Sequence, residues 1–297
     1  MRDAALKGLA VGFFDGVHLG HQAILKDADA ALTFRNHPLT VLAPERAPRL
    51  IMTCEERVAA IGACGVGEVT VLDFTRELAE MSAEEFVAFL KTRRGLRFPA
   101  VRCGENWRFG RGGAGDAEFL RKRGLEAVVV PYAEYKGAPI SSSRIRIALE
   151  RGEVEDANAM MGRKFTVRGS RSSGKGVGKA IGCPTVNLKP ENLGVRLPLG
   201  VYAVEIEGVR GVANYGLAPT MADRAWKTPV LEVHFLQDPP DPIVRQSGCS
   251  VAFLRFIRPE RKFDSVEDLR RQIAADCESC LCAGVCVSAA APSADVI

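Results

Sequence analysis

The sequence has no long apolar run, little net charge and few aromatic residues. No stretch of about 18 apolar residues, the length that a membrane-spanning helix needs, occurs along the chain. The formal net charge of the 297 residues is only +4, and no dense block of lysine and arginine is present. These absences exclude a membrane-spanning helix and argue against a nucleic-acid partner, whereas anionic small-molecule substrates fit the mild charge.

The start of the sequence also leads us to expect no secretory signal. The first residues lead quickly into strand-like sequence, without the charged region, apolar core and cleavage site of such a signal. The nine cysteines are then expected to be reduced thiols, and their odd number argues against a fully paired disulfide framework. We therefore expect a cytoplasmic protein with no membrane attachment.

Two kinds of pattern divide the chain. In the first half, short apolar runs alternate with helical periodicity, and capping boxes at Thr53 and Ser82 mark two helix starts. Strands separated by helices predict an α/β fold, a Rossmann-like parallel sheet with helices on its faces. From Lys164 to Arg258, about six short strands punctuated by Gly and Pro predict a closed antiparallel β-barrel. A last helix, capped by Ser265, is expected to run to about Asp276.

These patterns predict three segments. The first domain is expected at residues 1–162 and the second at residues 163–277. Residues 278–297 are rich in Cys and Ala without periodicity, and we expect a disordered tail there. Four cysteines lie in or just before this segment: Cys277, Cys280, Cys282 and Cys286. Their thiols could alternatively bind zinc or an iron–sulfur cluster. However, they are too closely spaced for the two separate ligand pairs of a structural zinc site.

The strongest local motif is FDGVHLGH at residues 14–21, which leads from the first expected strand into a helix expected from about Val17. His18 and His21 are three positions apart, so they share one face of the first helical turn. Gly16 and Gly20 let a phosphate approach the backbone, and a helix N-terminus attracts anions. The motif predicts a cradle for a triphosphate and for the charge that develops on leaving pyrophosphate.

Two other interpretations of the histidine pair are possible. It could belong to an ordinary strand–turn–helix connection, although two of only four histidines then fall together by chance. It could also bind zinc, but no nearby cysteine or carboxylate obviously completes a tetrahedral set. The phosphate cradle is therefore the preferred hypothesis.

Further polar clusters follow other expected strands of the first domain. They are Asn36-His37-Pro38, GENWRFG at residues 104–110 and SSSRIR at residues 141–146. Each of them alone is most simply a polar loop. Because ligands bind beyond the carboxyl ends of parallel strands, their coincidence at one sheet edge favours a binding site.

A glycine-rich segment, GSRSSGKG at residues 169–176, nearly matches a P-loop. Gly176 stands where a P-loop has the Ser or Thr that binds magnesium, and no apolar helix follows, which excludes that motif. Backbone N–H groups at Gly174 and Gly176 could still meet ATP phosphates, with Thr185 and Asn187 helping to hold Mg²⁺. A flexible loop before a strand is the alternative for the glycines.

One strand of the expected barrel carries a carboxylate. From Val230 to Phe235, residues alternate so that Glu232 and His234 share one face. That face is either solvated or lines a pocket in which Glu232 is a general base. Periodicity alone favours solvation.

These motifs together resemble a known family. FDGVHLGH, GENWRFG and SSSRIR, in this order, are similar to the adenylyltransferase module of bacterial bifunctional riboflavin kinase/FAD synthetases. The second half resembles the riboflavin kinase module of the same family, through GCPTVN at residues 182–187, LEVH at residues 231–234 and RPERKF at residues 258–263.

The resemblance implies a nucleotidyltransferase domain followed by a six-stranded kinase barrel. The implied activities are phosphorylation of riboflavin by ATP and transfer of AMP from a second ATP to FMN. It implies that His18 and His21 activate the ATP phosphates and that Asn106 lies by the flavin. Ser142 and Arg146 would belong to a second phosphate-binding motif.

For the kinase barrel, the resemblance implies that Thr185 and Asn187 bind Mg-ATP. It also implies that Glu232 takes the proton of the terminal ribityl hydroxyl. Mg²⁺ is the implied cofactor, and riboflavin, FMN and ATP are the implied small-molecule substrates.

The chain departs from the family pattern at a few places. Phe13 replaces a usual Asn, an acidic residue and Pro are missing before His37-Pro38, and Gln22 to Leu32 is short, which predicts a shortened first helix. In the barrel, Pro239 to Gln246 replaces an expected Tyr-Gly pair. One alternative is thus a riboflavin kinase with an impaired adenylyltransferase half, and another is a non-catalytic flavin- or nucleotide-binding regulator.

Overall fold

The computed structural model describes residues 8–92, 100–172, 185–191, 194–217, 229–237, 243 and 246–282. The chain divides into two compact units: residues 1–147 with 160–162, and residues 148–159 with 163–297. Among the described residues, no helix is long and apolar enough to cross a membrane.

The first unit is built on a parallel sheet of five strands in the order β3-β2-β1-β4-β5. The strands are β1 Gly8–Val11, β2 Ala28–Phe34, β3 Glu68–Leu72, β4 Ala100–Gly104 and β5 Glu126–Val130. The strand order reverses between β1 and β4, so the carboxyl ends of these two strands flank the switch-point crevice where α/β sheets bind ligands.

Helices lie between the strands of this sheet, and a two-stranded hairpin follows it. The elements are α1 Leu19–Leu25, α2 Leu39–Leu42, α3 Cys54–Gly62, α4 Arg76–Glu80, α5 Ala83–Thr92, α6 Ala117–Lys122, β6 Glu134–Tyr135 and β7 Ala138–Pro139. Two helices come after the hairpin, α7 Ser142–Glu150 and α8 Val154–Met161, and residues 148–159 of them belong to the second unit. Both capping boxes form, at Thr53 with Glu56 and at Ser82 with Glu85. Strand β1 is buried throughout, as expected for a strand covered on both faces.

The second unit is a closed antiparallel barrel of six strands in the order β10-β11-β12-β9-β8-β13. The strands are β8 Phe165–Arg171, β9 Thr185–Pro190, β10 Gly200–Ile206, β11 Val209–Leu217, β12 Pro229–Phe235 and β13 Gly248–Pro259. Alternation sorts the side chains: Leu231, Val233 and Phe235 are buried inside the barrel, whereas Glu232 and His234 face outward and are half-buried. The predicted α/β sheet and six-stranded barrel are both confirmed.

The last helix, α9, spans Val266–Cys282 and packs on the outer face of the barrel. It continues beyond the expected end at about Asp276, because Cys280 is buried against Val201, Ala203 and Val212. Residues 278–282 are therefore helical rather than part of a disordered tail. Cys286 and the rest of the expected tail lie outside the described residues.

Candidate active sites

The turn after β1 passes through three residues with left-handed backbone. They are Phe14 at φ 58°, Gly16 at φ 78° and Val17 at φ 35°. A Cβ makes this region unfavourable for Phe and Val, and such strain is concentrated at functional sites. At Gly16 the positive φ favours glycine, and a Cβ would also lie 2.9 Å from the end of the Ile51 side chain. The helix consequently starts at Leu19, later than the expected Val17.

This turn brings His18 and His21 together, as the sequence predicts. His18 is the N-cap of α1, and its Nδ1 accepts a hydrogen bond from the backbone N–H of His21 at 3.3 Å. The two rings stack with centroids 3.6 Å apart and planes 19° from parallel. A Cβ on Gly20 would lie 3.2 Å from His18 Cε1, so the glycine gives the imidazole room.

The SSSRIR segment lies against the same turn. Ser142 Oγ donates to the backbone carbonyl of Asp15 at 2.8 Å, and Arg146 Nη1 pairs with Asp15 Oδ2 at 2.7 Å. The predicted phosphate-binding residues Ser142 and Arg146 thus meet the turn that carries the histidines. Burial raises the pKa of Asp15, while Arg146 and backbone N–H groups lower it.

Asn106, the predicted flavin contact, is exposed immediately after β4. Since β4 is the neighbour of β1, Asn106 and the histidine pair follow the carboxyl ends of the two strands that flank the switch point. The following aromatic residues turn away into the core, where Trp107 packs on Phe109 with centroids 4.8 Å apart. Asn106 is therefore on the exposed rim of the crevice.

An aromatic and cationic cluster, which the sequence did not reveal, packs on Phe13 at the start of the turn. The Phe13 ring contacts the ring of His37, with centroids 4.8 Å apart, and the guanidinium of Arg57, 4.2 Å from its centroid. Arg57 is fully buried and donates to the carbonyl of Phe34. Burial lowers the pKa of His37, and Arg146 and Arg57 lower it further. Only the folded chain brings Arg57, on α3, to this turn.

The barrel site is aligned by strand register. On β12, Glu232 stands opposite Asn187 of β9 and Asn214 of β11, and His234 stands opposite Thr185. Directly opposed residues of adjacent strands share a face, so these side chains form one polar surface on the outside of the barrel.

Helix α9 and the segment before it cover this polar surface and enclose a pocket of about 160 Å³. The pocket combines polar groups with an apolar wall, which includes Val201, Val212, Phe263, Leu269 and Ile273. Burial raises the pKa of Glu232. Periodicity alone favoured a solvated face for this strand. That expectation is wrong, because a helix distant in sequence covers the face.

The far wall of the pocket contains an ion pair that the sequence did not reveal. Arg258 holds the buried Asp276 of α9 with two nitrogens, Nη2 at 2.7 Å and Nε at 2.9 Å. Gln272 Nε2 also donates to Asp276, at 2.8 Å. This fork ties α9 to the end of β13. Glu260 lies nearby, with its Oε1 3.4 Å from Asn214 Nδ2.

The predicted phosphate contacts Gly174 and Gly176 lie outside the described residues. Thr185 and Asn187, the predicted magnesium ligands, lie two positions apart on β9, so their side chains share the outward face. Within the described parts of the chain, no group of three or more His, Cys, Asp or Glu residues could hold a metal ion.

A parallel sheet with a histidine pair at its switch point, joined to a barrel with a carboxylate pocket, defines a two-module transferase. A family model described as FAD synthetase matches residues 3–144, and one described as riboflavin kinase matches residues 161–282. The chain belongs to the bifunctional riboflavin kinase/FMN adenylyltransferase family.

Relatives with that name cover nearly the whole chain. The Escherichia coli (strain K12) protein is 33% identical over 288 residues, with 90% of each chain covered. The Bacillus subtilis (strain 168) protein is 31% identical, covering 90% of this chain and 89% of its own. A solved structure titled macrolide-efflux protein, from Streptococcus pneumoniae, matches with TM-score 0.80 and 30% identity, covering 93% of this chain and 94% of that one.

Proposed function

We propose that this chain makes FAD in two steps. It phosphorylates riboflavin with ATP to give FMN, and then transfers AMP from a second ATP onto FMN, releasing pyrophosphate. The observation that carries the proposal is that each unit assembles its own polar site, one around His18 and His21 and one around Glu232. We assign the adenylyltransferase to residues 1–162 and the kinase to residues 163–277.

In the kinase step, the terminal ribityl hydroxyl attacks the γ-phosphorus of ATP. Its proton passes to Glu232 as the new P–O bond forms, and ADP leaves. The raised pKa of Glu232 makes its carboxylate a better base than an exposed glutamate. The apolar wall formed by Val212, Phe263 and Ile273 suits the flavin ring.

The oxygen donors of Thr185 and Asn187 fit Mg²⁺, which prefers hard oxygen ligands and shares its coordination with substrate phosphates. When bound, the ion would neutralise charge on the ATP phosphates. Gly174 and Gly176 are proposed to contact the same phosphates through backbone N–H groups.

In the adenylyl transfer, a phosphate oxygen of FMN attacks the α-phosphorus of ATP, and the bond to pyrophosphate breaks. His18 and His21 donate hydrogen bonds to the phosphates as negative charge develops on the leaving group. Gly16 and Gly20 keep the turn open to phosphate, while Ser142 and Arg146 bind from the second motif. Asn106 is proposed to contact the flavin.

The experiment is to incubate the pure protein with riboflavin, ATP and MgCl₂ and to separate FMN from FAD by chromatography. Both products are expected, with FMN appearing first. If FMN forms but no FAD does, even from supplied FMN, the adenylyltransferase half is impaired. That is the main alternative to the proposal, because α1 has only seven residues. Flavin binding without either product would indicate a regulator. The cytoplasmic location stays a prediction.

A further inference from the structure

Asp15 lies at the centre of the first site, although the proposed reaction gives it no role. Its side chain is 2% exposed. The carboxylate accepts hydrogen bonds from the backbone N–H groups of Ile51 at 3.0 Å and Met52 at 3.4 Å, and it pairs with Arg146. Asp15 thus joins the turn after β1 to the segment before α3 and to α7.

The ion pair fixes a side chain that would otherwise have many conformations. Arg146 Nη1 is held by Asp15 at 2.7 Å, and Arg146 Nη2 donates to Ser143 Oγ at 3.1 Å. A guanidinium has five N–H donors, so these two contacts leave three for a ligand. Asp15 therefore orients Arg146 without using up its capacity to bind phosphate.

The charge of Asp15 needs an explanation. A buried carboxylate costs desolvation energy, and an anion beside a phosphate site repels the substrate. The backbone N–H groups of Ile51 and Met52 could be satisfied by a neutral amide oxygen. Among the described residues, Arg146 has its sole ion-pair contact here, and the same negative charge also acts electrostatically on the buried Arg57.

We propose that Asp15 is a positioning residue for adenylyl transfer, whose carboxylate holds the Arg146 guanidinium in the orientation that receives the ATP phosphates. The inference rests on the proposed function, because it gives Arg146 a phosphate to bind. The competing explanation is a purely structural latch between the turn and the Ile51–Met52 segment.

The test is a double-mutant cycle on FAD formation from supplied FMN, with kcat and KM for ATP measured for Asp15→Asn, Arg146→Met and the double variant. Each single change should lower kcat/KM for ATP roughly tenfold to a hundredfold, the range of a charge-assisted hydrogen bond. If Asp15 acts through Arg146, the double variant should be within about threefold of Arg146→Met.

Additive losses in the double variant would show a structural latch and overturn the inference. Asp27→Asn is the matched control, because Asp27 pairs with Arg102 in the same unit at 3.3 Å but lies outside the site. It should keep the parental kcat/KM. Riboflavin phosphorylation should be unchanged in all variants. This control shows that the second unit of each variant is folded.

Arg146→Lys tests the inference even if Asp15→Asn does not fold. Lysine keeps the charge but lacks the planar guanidinium. If the orientation of Arg146 matters, Arg146→Lys should lower kcat/KM for ATP nearly as much as Arg146→Met does. A parental rate for Arg146→Lys would overturn the inference. A parental rate for Arg146→Met would instead contradict the proposed phosphate contact of Arg146, and the inference would fall with it.

Discussion

The two sites of this chain are held in place by different means. In the first unit, side chains distant in sequence meet on one turn, as when Arg146 pairs with Asp15. In the second unit, backbone pairing between strands aligns the polar side chains, since Glu232 lies opposite Asn187 and Asn214. A site assembled by side-chain contacts should be sensitive to single polar substitutions around it. A site aligned by register should be sensitive mainly to the residues that face the pocket.

The sites also differ in charge. The first collects a carboxylate and two guanidinium groups, Asp15, Arg146 and Arg57, around the turn. In the second, the pocket that contains Glu232 has an apolar wall and further charged residues, Arg258, Glu260, Arg261 and Asp276. Burial raises the pKa of both carboxylates, but only Asp15 has a cationic partner to offset it. This contrast suits a first site in which an arginine contacts phosphate and a second site in which a carboxylate removes a proton.

The largest separation of the two sites is expected from replacing His18 and His21 together by Ala. Removing one donor to developing charge typically costs about 10²–10³ in rate, so losing both should stop FAD formation from FMN. Riboflavin phosphorylation should persist, because the kinase groups lie in the other unit. Chromatographic assays of the two steps measure this. Loss of both activities in a folded variant would contradict the assignment.

A comparable effect confined to the barrel is expected from Glu232→Gln. A positioned base contributes about 10²–10⁴-fold, so FMN formation should fall by roughly that factor, or about 3–5 kcal/mol in barrier. Conversion of supplied FMN to FAD should stay near the parental rate.

Glu205→Gln is the matched control for Glu232→Gln. It changes another barrel-strand glutamate, one paired with Lys164 at 2.7 Å rather than facing the pocket. It should leave FMN formation unchanged. If Glu232→Gln phosphorylates riboflavin at the parental rate, the base must be sought elsewhere.

A smaller difference between the two sites is expected in the pH dependence of the kinase step. Burial raises the pKa of Glu232 above its ordinary value of 4.5, and the base must be ionised to act. The rate of FMN formation should therefore fall as the pH drops through that raised pKa, and Glu232→Gln should lack this limb. The free energy of unfolding should change with pH in the opposite direction. The stabilising contribution of Glu232 is fully present below pH 4.5 and is lost as pH rises through the raised pKa. A kinase profile that Glu232→Gln leaves unchanged would exclude this assignment.

The smallest effect is expected from deleting residues 281–297. This deletion should leave both activities intact, because it keeps the buried Cys280 and removes the exposed Leu281. Deleting residues 276–297 should impair the kinase step, because it also removes Asp276, the partner of Arg258 on the pocket wall. Activity assays and thermal melts of both truncations measure the difference. Lost activity together with a lost metal in the shorter deletion would show that the tail binds a metal.

Much of the fold and part of each site could be predicted from local signals. Capping residues placed α3 and α5, and period-2 alternation placed Glu232 and His234 on one strand face. The spacing of His18 and His21 predicted their shared face, and the stacked rings agree with it. These features depend on residues a few positions apart, whose geometry the backbone of a helix or strand sets.

Only the tertiary structure decided what the distant segments contribute. The contact of Arg57 with Phe13 and the pairing of Asp15 with Arg146 gave no signal, because the partners come from other elements. The pocket over Glu232 exists because α9 covers the barrel face, and the burial of Cys280 extends that helix beyond its expected end. The sequence by itself determined the strands, the helix starts and the chemical groups on offer. Packing between elements distant in sequence determined which of those groups are buried and paired, because desolvation and ion pairing depend on what lies within a few ångströms and not on position along the chain.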